Sequence, residues 1–64
     1  MSNALVREMK QEIERNKRQR RKLAMCLSAD ISIYAFEYCC SEYIQLREEY
    51  ERLKKLYQVA RRYS

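Results

Sequence analysis

The sequence contains no glycine, no proline and no histidine among its 64 residues. Without glycine and proline, the chain lacks the residues that form tight hairpin turns, β-bulges and phosphate-binding loops. Hairpin-rich β folds, P-loops and glycine-rich dinucleotide sites are therefore excluded. Without histidine, the commonest base for activating a serine or cysteine nucleophile is missing, and we expect the protein not to be an enzyme.

Cysteine is scarce and poorly placed for a metal site or a disulfide framework. Cys26, Cys39 and Cys40 have no CxxC spacing, and no imidazole is available to complete a zinc site within one chain. An odd number of cysteines, two of them adjacent, also suits a disulfide framework poorly. We interpret all three as small hydrophobic side chains in a reducing compartment, and we expect no metal and no cofactor.

The chain also lacks a long uncharged apolar run. The longest apolar-leaning stretch, residues 23–44, carries Asp30, Glu37 and Glu42, and three acids would cost several kcal/mol at a membrane midplane. The N-terminal residues do not show the basic-then-apolar order of a signal peptide. We therefore predict no transmembrane segment and expect a soluble, intracellular protein, which would be cytoplasmic, or nuclear if its source is a eukaryote.

Charged and helix-forming residues are abundant instead. Charged residues make up 36% of the chain and apolar residues 47%, a composition typical of helical and coiled-coil proteins. No segment has the composition of a linker, so the sequence predicts one helical domain over residues 1–64. A chain of this length buries little surface on its own, and its core is expected to be marginal.

Residues with the spacing of a coiled coil run through both halves of the chain. In the second half they alternate in steps of three and four, at Phe36, Cys39, Tyr43, Leu46, Tyr50, Leu53, Tyr57 and Ala60. The first half repeats this spacing less cleanly, with polar residues at the fourth and fifth places, at Val6, Met9, Ile13, Asn16, Arg20, Leu23 and Leu27. We call these two series the seam, and they predict helices over residues of about 3–28 and 31–62.

The two halves of the seam are out of phase by two residues, so a break is expected between Leu27 and Phe36. Ser28 and Asp30 lie in this interval and belong to the residue types that cap helix N-termini. The sequence therefore predicts a turn over residues 28–31. Folding back at this turn gives an all-α, coiled-coil-like antiparallel two-helix hairpin.

The hairpin would bring the two halves of the seam together in layers. Asn16 would face Tyr43, with its amide in reach of the tyrosine hydroxyl, and Arg20 would face Cys39. Because a buried charge is costly, replacing Arg20 by leucine at such a packed position is expected to raise stability.

A long parallel coiled coil is the alternative architecture. The spacings from Glu42 to Arg47 and from Glu49 to Lys54 match the g-to-e charge pairs of parallel strands. Such surface pairs contribute only about 0.2–1 kcal/mol each, whereas a misplaced core layer costs about 2–5 kcal/mol. Tyrosine at successive a positions also fits a tight parallel dimer poorly. The hairpin is therefore favoured.

Near the turn, the second helix is apolar on more than one face. The residues off the seam that would form a protein interface are Ile31, Ile33, Tyr34, Tyr38, Cys40 and Ile44. A helix of this kind is covered by more than one neighbour. We therefore expect a homo-oligomer, namely a dimer of hairpins forming a four-helix bundle, or docking on another protein. The predicted function is that of a non-enzymatic interaction module acting as a small adaptor or regulator.

A dense run of positive charge is the sharpest motif in the chain. Residues 1–27 hold eight Lys or Arg against three Glu, which accounts for the whole net charge of +5. At about 100° per residue the cations of the run surround a helix and suit contact with phosphates, at Arg15, Lys17, Arg18, Arg20, Arg21 and Lys22. The alternative function is therefore a DNA- or RNA-binding regulator. A solvated surface, partly neutralised by Glu48, Glu49 and Glu51 of the same or a neighbouring chain, would also explain the run, as would docking on an acidic protein or lipid surface.

Tyr43, Tyr50 and Tyr57 recur every seven residues among basic residues. Exposed rings in such a pattern would form a platform for stacking single-stranded bases. Because the three tyrosines are in phase with Leu46 and Leu53, we interpret them as residues of the core.

Overall fold

The computed structural model describes residues 3–63. It contains two α-helices, α1 (Asn3–Leu27) and α2 (Ile33–Arg62). The helices run in opposite directions and pack against each other along a rod of 47 × 15 × 11 Å. This architecture confirms the all-α antiparallel hairpin, and the continuous helix of the parallel alternative is not formed. Helix α1 ends one residue earlier, and α2 begins two residues later, than the sequence predicts.

Two serines build the connection between the helices. The Ser28 hydroxyl donates to the backbone carbonyl of Met25 at 3.0 Å, an acceptor in the last helical turn that no backbone N–H of the described residues reaches. The Ser32 hydroxyl accepts from the backbone N–H of Ala35 at 3.2 Å and caps the start of α2. The N-cap is therefore Ser32, not Ser28 or Asp30. None of the described residues has a positive φ, so this turn forms without glycine.

The cap at Ser32 changes the packing beside the turn. Ile31 lies in the connecting segment and is part-buried, and Ala35 on the first turn of α2 is part-buried as well. Phe36, which the repeat places in the seam, is instead 46% exposed. Its assignment to the core is wrong, and the part-buried residues at this end of the hairpin are Ile31 and Ala35.

The interface between the helices buries few side chains completely. Among the side chains that the structure describes, Asn16 and Ala60 are buried. The other seam residues apart from Phe36 are part-buried, namely Val6, Met9, Ile13, Arg20, Leu23, Leu27, Cys39, Tyr43, Leu46, Tyr50, Leu53 and Tyr57. A pair of helices has no third element to cover the outer edges of its contact, so its core stays thin. Over the described residues, neither helix offers an apolar stretch sufficient to cross a membrane.

Candidate functional site

The turn end of the hairpin carries a large exposed apolar surface. The exposed fractions are 70% for Ile33, 81% for Tyr34, 67% for Tyr38 and 57% for Ile44. All four belong to α2, and residues 33–44 span only about 16 Å of helix at 1.5 Å per residue. Four of the six residues predicted for a protein interface are thus exposed on the first turns of α2.

The other two predicted interface residues lie at the border of this surface. Ile31 and Cys40 are part-buried. Phe36 adds to the surface, since Ile33, Phe36, Cys40 and Ile44 follow helical steps of three and four residues and share one face of α2. The sequence pattern does not predict that Phe36 is exposed, because its spacing also fits the heptad repeat. We call the group Ile33, Tyr34, Phe36, Tyr38 and Ile44 the turn-end surface.

The two polar residues of the α1 seam form a cluster that reaches α2. Asn16, only 3% exposed, donates from Nδ2 to the backbone carbonyl of Leu46 at 2.9 Å. Its Oδ1 accepts from Nε of Arg20 at 2.8 Å. The predicted bond from Asn16 to the Tyr43 hydroxyl is therefore replaced by a bond to main chain three residues further along α2.

The basic run lies on α1, and its six cations differ in environment. Arg20 is part-buried, and its guanidinium lies over the ring of Tyr50 rather than against Cys39, the residue predicted to face it. The other five are exposed, namely Arg15, Lys17, Arg18, Arg21 and Lys22. The run therefore covers the outer side of α1, and it does not present all six cations to solvent.

Little of this positive charge is neutralised within the hairpin. Arg15 forms a salt bridge with Glu12 at 3.6 Å. In the described part of the chain, no carboxylate lies within salt-bridge distance of Lys17, Arg18, Arg21 or Lys22. The expected neutralisation by Glu48, Glu49 and Glu51 of the same chain is therefore not formed as direct ion pairs.

All three tyrosines of the seam are part-buried, and two of them, Tyr50 and Tyr57, have cations over their rings. Lys54 lies 5.8 Å and Arg20 4.4 Å from the centroid of the Tyr50 ring. Arg61 lies 5.7 Å from the centroid of the Tyr57 ring. Cations at these distances are attracted by the ring quadrupole. The Tyr50 and Tyr57 rings are thus engaged within the hairpin, as expected of core residues.

The three cysteines are free thiols. Cys26 is exposed, and Cys39 and Cys40 are part-buried. Within residues 3–63, no three His, Cys, Asp or Glu side chains come together to hold a metal ion. The features of the described hairpin that offer contacts to another molecule are therefore the turn-end surface and the exposed cations of α1.

No known protein family matches the chain, and neither a curated protein nor a solved structure is significantly similar to it.

Proposed function

We propose that this protein is a non-enzymatic helical interaction module that acts as a small adaptor or regulator and self-associates through the turn-end surface. The observation that carries the proposal is the exposure of Ile33, Phe36 and Ile44 on one face of α2 near the turn. Tyr34 and Tyr38 are exposed on a neighbouring side of the same turns, about 120° around the helix. Exposed apolar side chains grouped in this way mark a site of protein association. The other exposed large apolar residues of α2 and its C-cap are Leu56, Val59 and Tyr63, at the opposite end of the helix.

The total surface of the hairpin supports a second copy as the partner. Its solvent-accessible area is 5387 Å², whereas a compact monomer of 7.9 kDa has about 4,400 Å² by the scaling of area with mass. The excess is about 1,000 Å². A standard protein interface buries about 800 Å² on each partner, so one further hairpin would remove a comparable area.

Twofold symmetry gives this association a simple form. In a symmetric dimer the same patch contacts itself, and Ile33, Phe36, Cys40 and Ile44 lie on one face of α2 where a second α2 can pack. Two hairpins joined in this way make a four-helix bundle, with the added pair of helices covering side chains that one hairpin leaves in water. The outer side of α1 and the far ends of the helices stay available for another macromolecule.

The test is the mass of the protein in solution. Light scattering after gel filtration should give a dimer at micromolar concentration for the unmodified chain. The double substitution Ile33→Gln with Ile44→Gln should weaken the dimer by about 100-fold or more, because burial of each isoleucine contributes about 1.5–3 kcal/mol and the pair occurs twice in a twofold interface.

Leu56 and Val59 provide a matched control. Both are exposed apolar residues of α2, distant from the turn. Leu56→Gln with Val59→Gln removes the same type of surface and should leave the dimer intact. A monomeric unmodified chain at about 100 μM, or equal disruption by the two pairs of substitutions, would contradict association through the turn-end surface. Circular dichroism of each variant separates lost association from lost helix.

A further inference from the structure

The exposed cations of α1 form a continuous outer basic face. It consists of Lys17, Arg18, Arg21 and Lys22, with Arg15 at its edge. Residues 17–22 occupy less than two helical turns, about 8 Å of axis at 1.5 Å per residue. Since the seam side of α1 packs on α2, these long side chains extend from the side of the helix that faces solvent. Positive charge is therefore concentrated on one short surface.

The charge on this face is also unpaired. No carboxylate among the described residues forms a salt bridge with Lys17, Arg18, Arg21 or Lys22. Arg20 differs from these four cations, because its guanidinium donates to Asn16 and lies over the ring of Tyr50. Four cations within six residues thus repel one another without compensation inside the chain. An external polyanion would relieve this repulsion.

We propose that the outer basic face binds the phosphate backbone of nucleic acid. Arginine donates two parallel hydrogen bonds to a phosphate group, and Arg18 and Arg21 lie three residues apart on one side of α1. Residues 15–22 include no apolar side chain. A membrane-surface helix would need apolar residues able to enter the lipid, whereas the main apolar stripe of α1 packs on α2. The chemistry therefore favours phosphodiesters over a lipid surface.

Binding should depend on charge and not on base sequence. Flexible arginine and lysine side chains spread over half of a helix contact backbone phosphates more readily than an ordered set of base edges. Each phosphate neutralised releases counterions and adds about −0.9 to the slope of log affinity against log salt for duplex DNA. Four free cations predict a slope of about −3 to −4 per hairpin. The site is distinct from the turn-end surface and does not depend on it.

Fluorescence anisotropy of a labelled 20-base-pair duplex, titrated with the full chain from about 50 to 200 mM salt, tests this binding. The unmodified protein should bind duplexes of unrelated sequence equally well. Arg18→Gln with Arg21→Gln should reduce affinity at the lowest salt by about tenfold or more and flatten the slope by about 2. Both residues are exposed, so helicity should not change.

Arg52 and Lys55 serve as the matched control. Both are exposed cations on α2, and Arg52→Gln with Lys55→Gln removes the same net charge from a different surface. This pair should leave the slope within about 0.5 of the unmodified value. Nucleic-acid binding by the outer basic face is overturned by equal weakening in the two pairs, or by no binding to the duplex at about 50 mM salt. Tighter binding to phosphatidylserine vesicles or polyglutamate than to the duplex would likewise overturn it.

Discussion

The guanidinium carbon of Arg20 lies over the ring of Tyr50, 4.4 Å from the ring centroid. The same side chain donates to Asn16, which in turn donates to the carbonyl of Leu46. The two residues that interrupt the apolar repeat of α1 thus both contact α2, Asn16 at the carbonyl of Leu46 and Arg20 at the ring of Tyr50. A buried asparagine in a helical seam can fix the register of the helices at a cost in stability, and we interpret Asn16 in this way.

Replacing Arg20 by leucine should lower the stability of the hairpin. The substitution removes the bond to Oδ1 of Asn16 and leaves a buried acceptor without its partner, which costs about 1–3 kcal/mol. It also removes the contact with the Tyr50 ring. This reverses the expectation from sequence, in which Arg20 was only a charge in a packed layer. Thermal unfolding followed by circular dichroism at fixed protein concentration should show a fall of about 5 °C or more.

Arg18→Leu is the control for that measurement. Arg18 is exposed on the outer side of α1, and a surface substitution of this kind usually changes stability by no more than about 0.5 kcal/mol. A stabilising effect of Arg20→Leu, with Arg18→Leu unchanged, would show that the polar cluster does not support the fold.

The combined substitution Asn16→Leu with Arg20→Leu should recover the stability that Arg20→Leu loses. Removing both partners leaves no unsatisfied buried group, and apolar replacement of a buried polar cluster is often neutral or stabilising. The melting temperature of the double variant should therefore be at least that of the unmodified chain. The two effects should also be non-additive, since the residues are in direct contact. A double variant less stable than either single one would contradict this coupling.

Ser32→Ala should destabilise α2 at its start. The Ser32 hydroxyl accepts the N–H of Ala35, and loss of a serine N-cap costs about 0.5–2 kcal/mol. Ser41 is an exposed serine within α2. Ser41→Ala should raise the stability instead, because alanine has the higher helix propensity. Urea unfolding of the two variants should move the midpoint in opposite directions. Equal shifts would mean that the cap does not hold the turn.

The heptad spacing predicted the two helices, and the phase break together with the energies of core layers and charge pairs favoured their antiparallel packing. Tyr43, Leu46 and Tyr50 recur at steps of three and four residues, which only a helix places on one side. The phase break between Leu27 and Phe36 predicted the turn as well, although no glycine marks it. These features depend on local periodicity, and the sequence contains that information directly.

The axial register of the hairpin could not be predicted in the same way. The sequence places Asn16 against Tyr43, while the structure places it against the carbonyl of Leu46, about 4.5 Å further along the axis at 1.5 Å per residue. Serine fits many positions of a turn, so spacing alone does not select among Ser28, Asp30 and Ser32 as the cap.

The candidate surfaces were partly visible in the sequence. Ile33, Tyr34 and Tyr38 are off the repeat, and their exposure follows from that. Phe36 is in phase with the repeat, so its exposure depends on where α2 begins. Arg20 is a cation like its neighbours, and only the contacts with Asn16 and Tyr50 distinguish it from the five that face solvent.

Cys40 provides the last prediction, which concerns the geometry of the proposed dimer. Cys40 lies near the middle of the face formed by Ile33, Phe36 and Ile44, and a residue at the centre of a twofold patch approaches its own copy. Disulfide formation needs the two Cα atoms within about 4.4–6.8 Å. A chain that keeps only Cys40 should therefore form a covalent dimer under copper phenanthroline oxidation, measured on non-reducing gels.

A chain that keeps only Cys26 is the comparison, with serine at the other two positions in each case. Cys26 is the more exposed thiol, so random collision alone would favour its oxidation. If the turn-end surface joins the two hairpins, Cys40 should cross-link several-fold faster, and adding Ile33→Gln with Ile44→Gln should abolish that advantage. Cross-linking through Cys26 as fast as or faster than through Cys40 would contradict a dimer contact at the turn-end surface, since thiol exposure and not proximity across an interface would then govern the rate.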